Sequence, residues 1–122
     1  MRKAPTVLLT LVAASLFGAV AQAHPELKAT DPPGGGTIVG SPNEIRMMFT
    51  ESLIPKFSGV QLKDKGGRVI VTGTATIDPN DRKQLVVPLK QPLAPGTYDV
   101  DWHAVSVDTH KVQGHFSFSV GP

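Results

Sequence analysis

The sequence predicts an all-β domain, a Greek-key antiparallel β-sandwich or barrel of about seven strands, on three observations. Short segments alternate polar and apolar side chains, the period-two signature of half-buried strands. Clusters of glycine and proline separate those segments, and the twelve glycines and eleven prolines suit punctuation between strands better than helices. No helical period of useful length occurs after residue 23.

Taken in order, residues 26–30 alternate as a first strand. Asp31-Pro32-Pro33-Gly34-Gly35-Gly36 and Gly40-Ser41-Pro42-Asn43 are turn clusters. In the next strand Ile45, Met47 and Phe49 share one face, Arg46, Met48 and Thr50 the other, and Glu51 closes it. Residues 58–63 form a strand with Val60 and Leu62 inward, and Lys65-Gly66-Gly67 turns the chain. Residues 68–77 alternate through Val69 and Val71, and Asp78-Pro79-Asn80-Asp81 breaks the chain before a strand at 84–89. Leu93-Ala94-Pro95-Gly96 leads into residues 97–106, where Tyr98, Val100 and Trp102 line one face. A last strand, 112–120, carries Phe116, Phe118 and Val120 inward. The pattern holds one domain, with no repeat and no long low-complexity stretch.

Residues 1–23 read as a cleavable signal peptide. Met1-Arg2-Lys3 gives a positive start, residues 7–20 an uncharged apolar run, and Ala21-Gln22-Ala23 a small-x-small cleavage site. The run is too short and wrongly flanked for a membrane-spanning helix. Cleavage leaves residues 24–122 as the working domain. Arg2 and Lys3 depart with the leader, so the formal charge falls from +2 to zero, and the basic footprint of a nucleic-acid binder is missing. Cysteine is absent, so the exported domain relies on core packing and offers no thiolate to a metal. The expected location is the periplasm, without stable membrane insertion, and the expected state is a monomer.

Cutting after Ala23 turns His24 into an N-terminal residue with two nitrogen donors, the α-amine and the imidazole, which can close on one metal ion. Pro25 has no backbone N–H, so the next amide cannot be recruited as a ligand. Equatorial positions are then left for the folded protein to supply. Asp108-Thr109-His110 offers a carboxylate and an imidazole, and in an extended segment both point to one side while Thr109 points away. Such a donor set, rich in nitrogen with one carboxylate, suits copper(II). Because the α-amine has an ordinary pKa of about 8, binding should release protons and weaken in acid. The bland alternatives are a histidine that merely follows a cleavage site and an Asp-x-His triplet that is solvated surface or a turn cap.

Several stretches together carry a family likeness: His24-Pro25-Glu26-Leu27, Phe49-Thr50-Glu51, Gly96-Thr97-Tyr98-Asp99-Val100-Asp101-Trp102, and Ala104-Val105-Ser106-Val107-Asp108-Thr109-His110 with Gly114 and Phe116. The chain resembles the CopC-type periplasmic copper-binding proteins of copper resistance and copper uptake systems. The resemblance spans nearly all of residues 24–122. It implies a cupredoxin-like or immunoglobulin-like fold and one copper(II) ion per chain, held by His24, Asp108 and His110. It also implies a glutamate near the site, here Glu51, which could offset residual positive charge rather than bind directly. The partner implied is an inner-membrane copper transporter of the CopD type.

Other candidates are weaker. His103 and His115 fall on the polar faces of their strands and read as solvated. Thioethers select copper(I), but Met47 and Met48 point to opposite sides of a strand and the 60–81 region has no methionine, so the chain reads as copper(II)-only. Two other functions compete with copper sequestration or delivery. The N-terminal histidine chelate also resembles the histidine brace of lytic polysaccharide monooxygenases, which would make a small copper oxidase. A plain adhesive sandwich would bind no metal.

Overall fold

The structure is a computed structural model that describes residues 24–122; the expected leader lies outside the described residues. Nine strands are present among them: β1 Leu27–Asp31, β2 Thr37–Val39, β3 Glu44–Phe49, β4 Gly59–Asp64, β5 Val69–Ile70, β6 Thr76–Asp78, β7 Asp81–Pro88, β8 Gly96–Val105 and β9 Lys111–Gly121, with a 3₁₀ turn at Pro55–Phe57. A four-stranded sheet runs β1-β3-β7-β6 and a five-stranded sheet runs β2-β9-β8-β4-β5. The chain passes repeatedly from one sheet to the other, as in a Greek-key sandwich, and neither sheet closes into a barrel.

The inward faces follow from alternation. Ile45, Met47 and Phe49 of β3 are buried between the sheets, opposite Tyr98 and Val100 of β8 and Phe118 and Val120 of β9. Met47 is therefore core. The Tyr98 ring stacks on Phe118 at 5.7 Å, and its hydroxyl donates to the Ala94 carbonyl at 2.6 Å, the way a tyrosine corner pins a strand entry. At the other end of β8, Trp102 meets Phe49 edge-on at 5.4 Å. Its indole covers Gly114 so closely that a Cβ there would lie 2.5 Å from Cζ2.

Two segments depart from the sequence reading. β2 is a strand that the sequence pattern does not show, and it pairs with β9 in parallel, so the sandwich is not purely antiparallel. A three-residue strand between two glycine-rich turns is too short to carry a period. The single alternating run expected at 68–77 is instead β5 in one sheet and β6 in the other. Gly73 lies where the chain changes sheets. Its N–H donates to the Pro88 carbonyl at 2.7 Å, and a Cβ there would meet the Pro88 ring at 2.6 Å. Val69 and Val71 end up exposed, and Ile70 is the residue that packs on the core.

Candidate metal centre

Three segments meet at one end of the sandwich. The first is the stretch before β1. Pairing of Leu27 with Phe49 lays β1 along β3 at the sheet edge. Beyond it, Thr50 N–H donates to the Glu26 carbonyl at 3.0 Å and Glu26 N–H donates to Thr50 Oγ1 at 2.9 Å. Pro25 is fully buried. The residue valued in the sequence for its missing N–H thus also anchors the segment by packing, and it leaves His24 exposed at the surface.

The second segment runs from Thr50 to Ile54, between β3 and the 3₁₀ turn. Leu53 is buried and bridges to Ser106, while the Ser52 carbonyl accepts from Val107 N–H at 3.0 Å. Glu51 is therefore one residue from a segment bonded to the third, the β8–β9 turn. It is half-buried and makes no hydrogen bond or ion pair with His24, Asp108 or His110.

The third segment departs from the extended geometry expected of Asp108-Thr109-His110. Thr109 has φ 71°, in the left-handed region, and Thr109 N–H donates to the Ser106 carbonyl at 2.8 Å. Residues 106–110 form a tight turn that Ser106 N–H closes onto the His110 carbonyl at 3.0 Å. Asp108 and His110 still meet, because the turn folds them together: His110 Nδ1 lies 3.1 Å from Asp108 Oδ2.

Ser106, which sequence reasoning passed over as part of a motif, holds this turn. It is fully buried, its hydroxyl donates to Asp108 Oδ1, and the same oxygen accepts from His110 N–H at 3.2 Å. Ser58 acts similarly a step away, donating to the Ile54 carbonyl at 2.8 Å and accepting from Val105 N–H at 3.0 Å. Among the described residues, these two serines are the buried polar side chains. Both are buried because their bonds are met, and both brace this end. The signal that could have found Ser106 is its place two residues before an aspartate in a turn, a position that favours local side-chain bonds.

The donors are paired rather than caged. The His24 and His110 rings face each other edge-on with centroids 5.0 Å apart. With metal–nitrogen bonds of about 2.0 Å, that spacing suits two imidazoles sharing one ion at near a right angle. Among the described residues no three His, Asp or Glu side chains converge as a ready metal cage. The set lacks the α-amine, which exists only once the bond before His24 is cut.

The electrostatics fit a cation. The Ser106 hydroxyl, and after it His110, hold the Asp108 carboxyl below the ordinary aspartate value, so it is a carboxylate at neutral pH. His110 Nδ1 is buried, and although it approaches Asp108 closely, no aligned hydrogen bond satisfies it. A contact that close but badly directed is a weak bond.

The remaining candidates fall as expected. His103 is exposed on the outer face of β8. His115 is exposed too, with Nε2 3.3 Å from Asp99 Oδ1. Met48 lies on the opposite side of β3 from Met47, which excludes joint chelation.

A family model described as the CopC domain matches residues 27–121. Protein YobA of Escherichia coli strain K12 is 39% identical over 112 residues, covering 92% of this chain and 90% of that protein. Copper resistance protein C of Xanthomonas campestris pv. juglandis is 40% identical over 117 residues, with 92% and 91% covered. The crystal structure of PcoC, a methionine-rich copper resistance protein from Escherichia coli, superposes with a TM-score of 0.71 at 37% identity, covering 80% of this chain and 99% of that one.

Proposed function

The chain belongs to the CopC family, and from that premise we propose that it binds one copper(II) ion outside the cytoplasm and sequesters or delivers it. The family is one of copper-binding resistance proteins and not of enzymes. The histidine-brace oxidase and the metal-free adhesive sandwich both give way to that finding.

In this reading the His24 amine and imidazole, the Asp108 carboxylate and the His110 imidazole hold the ion. Copper(II) accepts such nitrogen-rich, singly anionic sets with high affinity. Glu51 offsets charge from the neighbouring segment. The observation that carries the reading is the meeting of His24 and His110 with Asp108 already against His110. These three residues come from the two ends of the domain. The family match begins at residue 27, so the role of His24 rests on this geometry and on processing after Ala23. Restriction to copper(II) is supported by the core position of Met47 and by three methionines in the whole chain, where PcoC is described as methionine-rich. A periplasmic location and a membrane copper transporter as partner complete the proposal.

The test is copper EPR and competition titration on the chain that starts at His24, beside one carrying a single extra residue in front of it. The extension turns the amine into an amide. Affinity should fall by at least the roughly 10–100-fold that losing a supporting group costs a metal site. Equal affinity and an unchanged spectrum would remove the N-terminal chelate.

A further inference from the structure

We propose that a basic groove beside the copper arm docks an acidic peptide segment of the protein that exchanges copper with this chain; the identity of that partner rests on the copper reading above. The groove, about 910 Å³, lies between the 3₁₀ turn and the outer side of β8 and β9. Ile54 and Phe57 give it an apolar wall, and Lys56, His103, Thr109 and Lys111 give it a cationic and polar one. No Asp or Glu lines it.

Charge identifies the occupant. Residues 24–122 carry no formal net charge, so two lysines without a facing carboxylate are a local excess and not the mark of a basic protein. The Lys56 ammonium sits 5.7 Å from the Phe57 ring centre, which keeps a cation and an exposed aromatic side by side at the rim. A complementary segment therefore presents carboxylates to Lys56 and Lys111 and one apolar side chain to Phe57. The volume falls in the range of about 300–1,000 Å³ typical of ligand sites, enough for a short extended stretch of chain.

Two further observations favour a protein segment over a small organic acid. Phe57, which lines the groove, and Val107, which lies within the 106–110 turn, are each 54% exposed. A small acid would leave that apolar surface bare, whereas a partner face covers it. Thr109 also lines the groove and is the residue joining Asp108 to His110. An occupant thus touches the backbone that sets the two copper-binding side chains.

The experiment uses the chain beginning at His24, held metal-free with EDTA. A fluorescein-labelled peptide, with one phenylalanine flanked by glutamates and aspartates, is titrated by anisotropy and by amide NMR shifts. Saturable binding is expected, with shifts centred on His103, Thr109, Lys111 and Gln113. The same peptide with glutamine and asparagine in place of its acids should not bind. Joint replacement Lys56→Glu and Lys111→Glu should weaken binding about tenfold, the sum of several modest exposed charge effects. Phe57→Ser should weaken it several-fold, while Lys28→Glu on β1, outside the groove lining, should not. Absence of saturable binding, shifts centred elsewhere, or equal binding of the neutral peptide would overturn the proposal. Full displacement by equimolar citrate would overturn it too, making the groove a site for small acids. Because the titration contains no copper, its failure leaves the EPR result standing, and failure of the EPR test leaves peptide binding standing.

Discussion

Ser106 links the backbone of the 106–110 turn to the proposed copper ligands. One hydroxyl orders Asp108 and receives the His110 amide, so its loss acts on both proposed ligands at once. Ser106→Ala leaves the half-buried His110 N–H without its acceptor and should cost about 1 kcal/mol of stability, read from urea denaturation. The Asp108 carboxyl then moves back toward the ordinary aspartate value. Copper affinity should fall roughly 10–100-fold, the usual effect of removing a group that orients a ligand; an unchanged affinity would show that the turn orders itself without the serine. His24, Asp108 and His110 stand out in the sequence as candidate donors because of their residue types and the expected cleavage after Ala23. Ser106 was less so, since a serine announces nothing until its surroundings make it buried.

At the scale of elements, β8 and β9 carry the site, and their pairing runs from Gly96 with Val120 to Val105 with Lys111. Within it Trp102 faces Gly114, and the indole occupies the space a side chain would need. Gly114→Ala should cost about 1–3 kcal/mol through overpacking, lowering Tm by roughly 4–8 °C per kcal/mol in a domain of this size. A Tm within a degree or so of the parent would mean that the indole shifts freely. The long strands β3, β8 and β9 were readable because alternation over six or more residues leaves one apolar face with a single place to go. β5 and β6 were not, because a sheet change at Gly73 reverses which residues count as inward. The turn at Thr109 escaped for a related reason: an Asp-x-His triplet reads alike whether extended or folded.

For the molecule as a whole, acid is the natural stress. The Asn80 backbone N–H, and with it the Arg46 guanidinium, hold Asp78 below the ordinary aspartate value. The Ser117 hydroxyl, followed by His115, does the same for Asp99. A carboxyl with a depressed folded pKa contributes stability that is complete above its unfolded value, about 3.9, and is lost as pH falls toward the lower folded one. The urea midpoint should therefore hold from neutral pH down to about pH 5 as far as these groups are concerned, and drop below about pH 4. Asp78→Asn should flatten that drop by removing the Arg46 partnership across β3, β7 and β6. An acid limb identical to the parent's would remove Asp78 from the explanation.

The sequence by itself determined the class of fold, the identity of the core strands and the chemical nature of the proposed donors. Those properties follow from side-chain type and from a period that the chain imposes locally. The tertiary structure decided that the two ends of the domain share one corner, that Pro25 and Ser106 hold the proposed donors in place, and that a groove with Lys56 and Lys111 lies beside them. Such facts depend on which sheet each segment joins. That choice is settled by contacts between segments rather than by the local period, as where Gly73 changes sheets against Pro88.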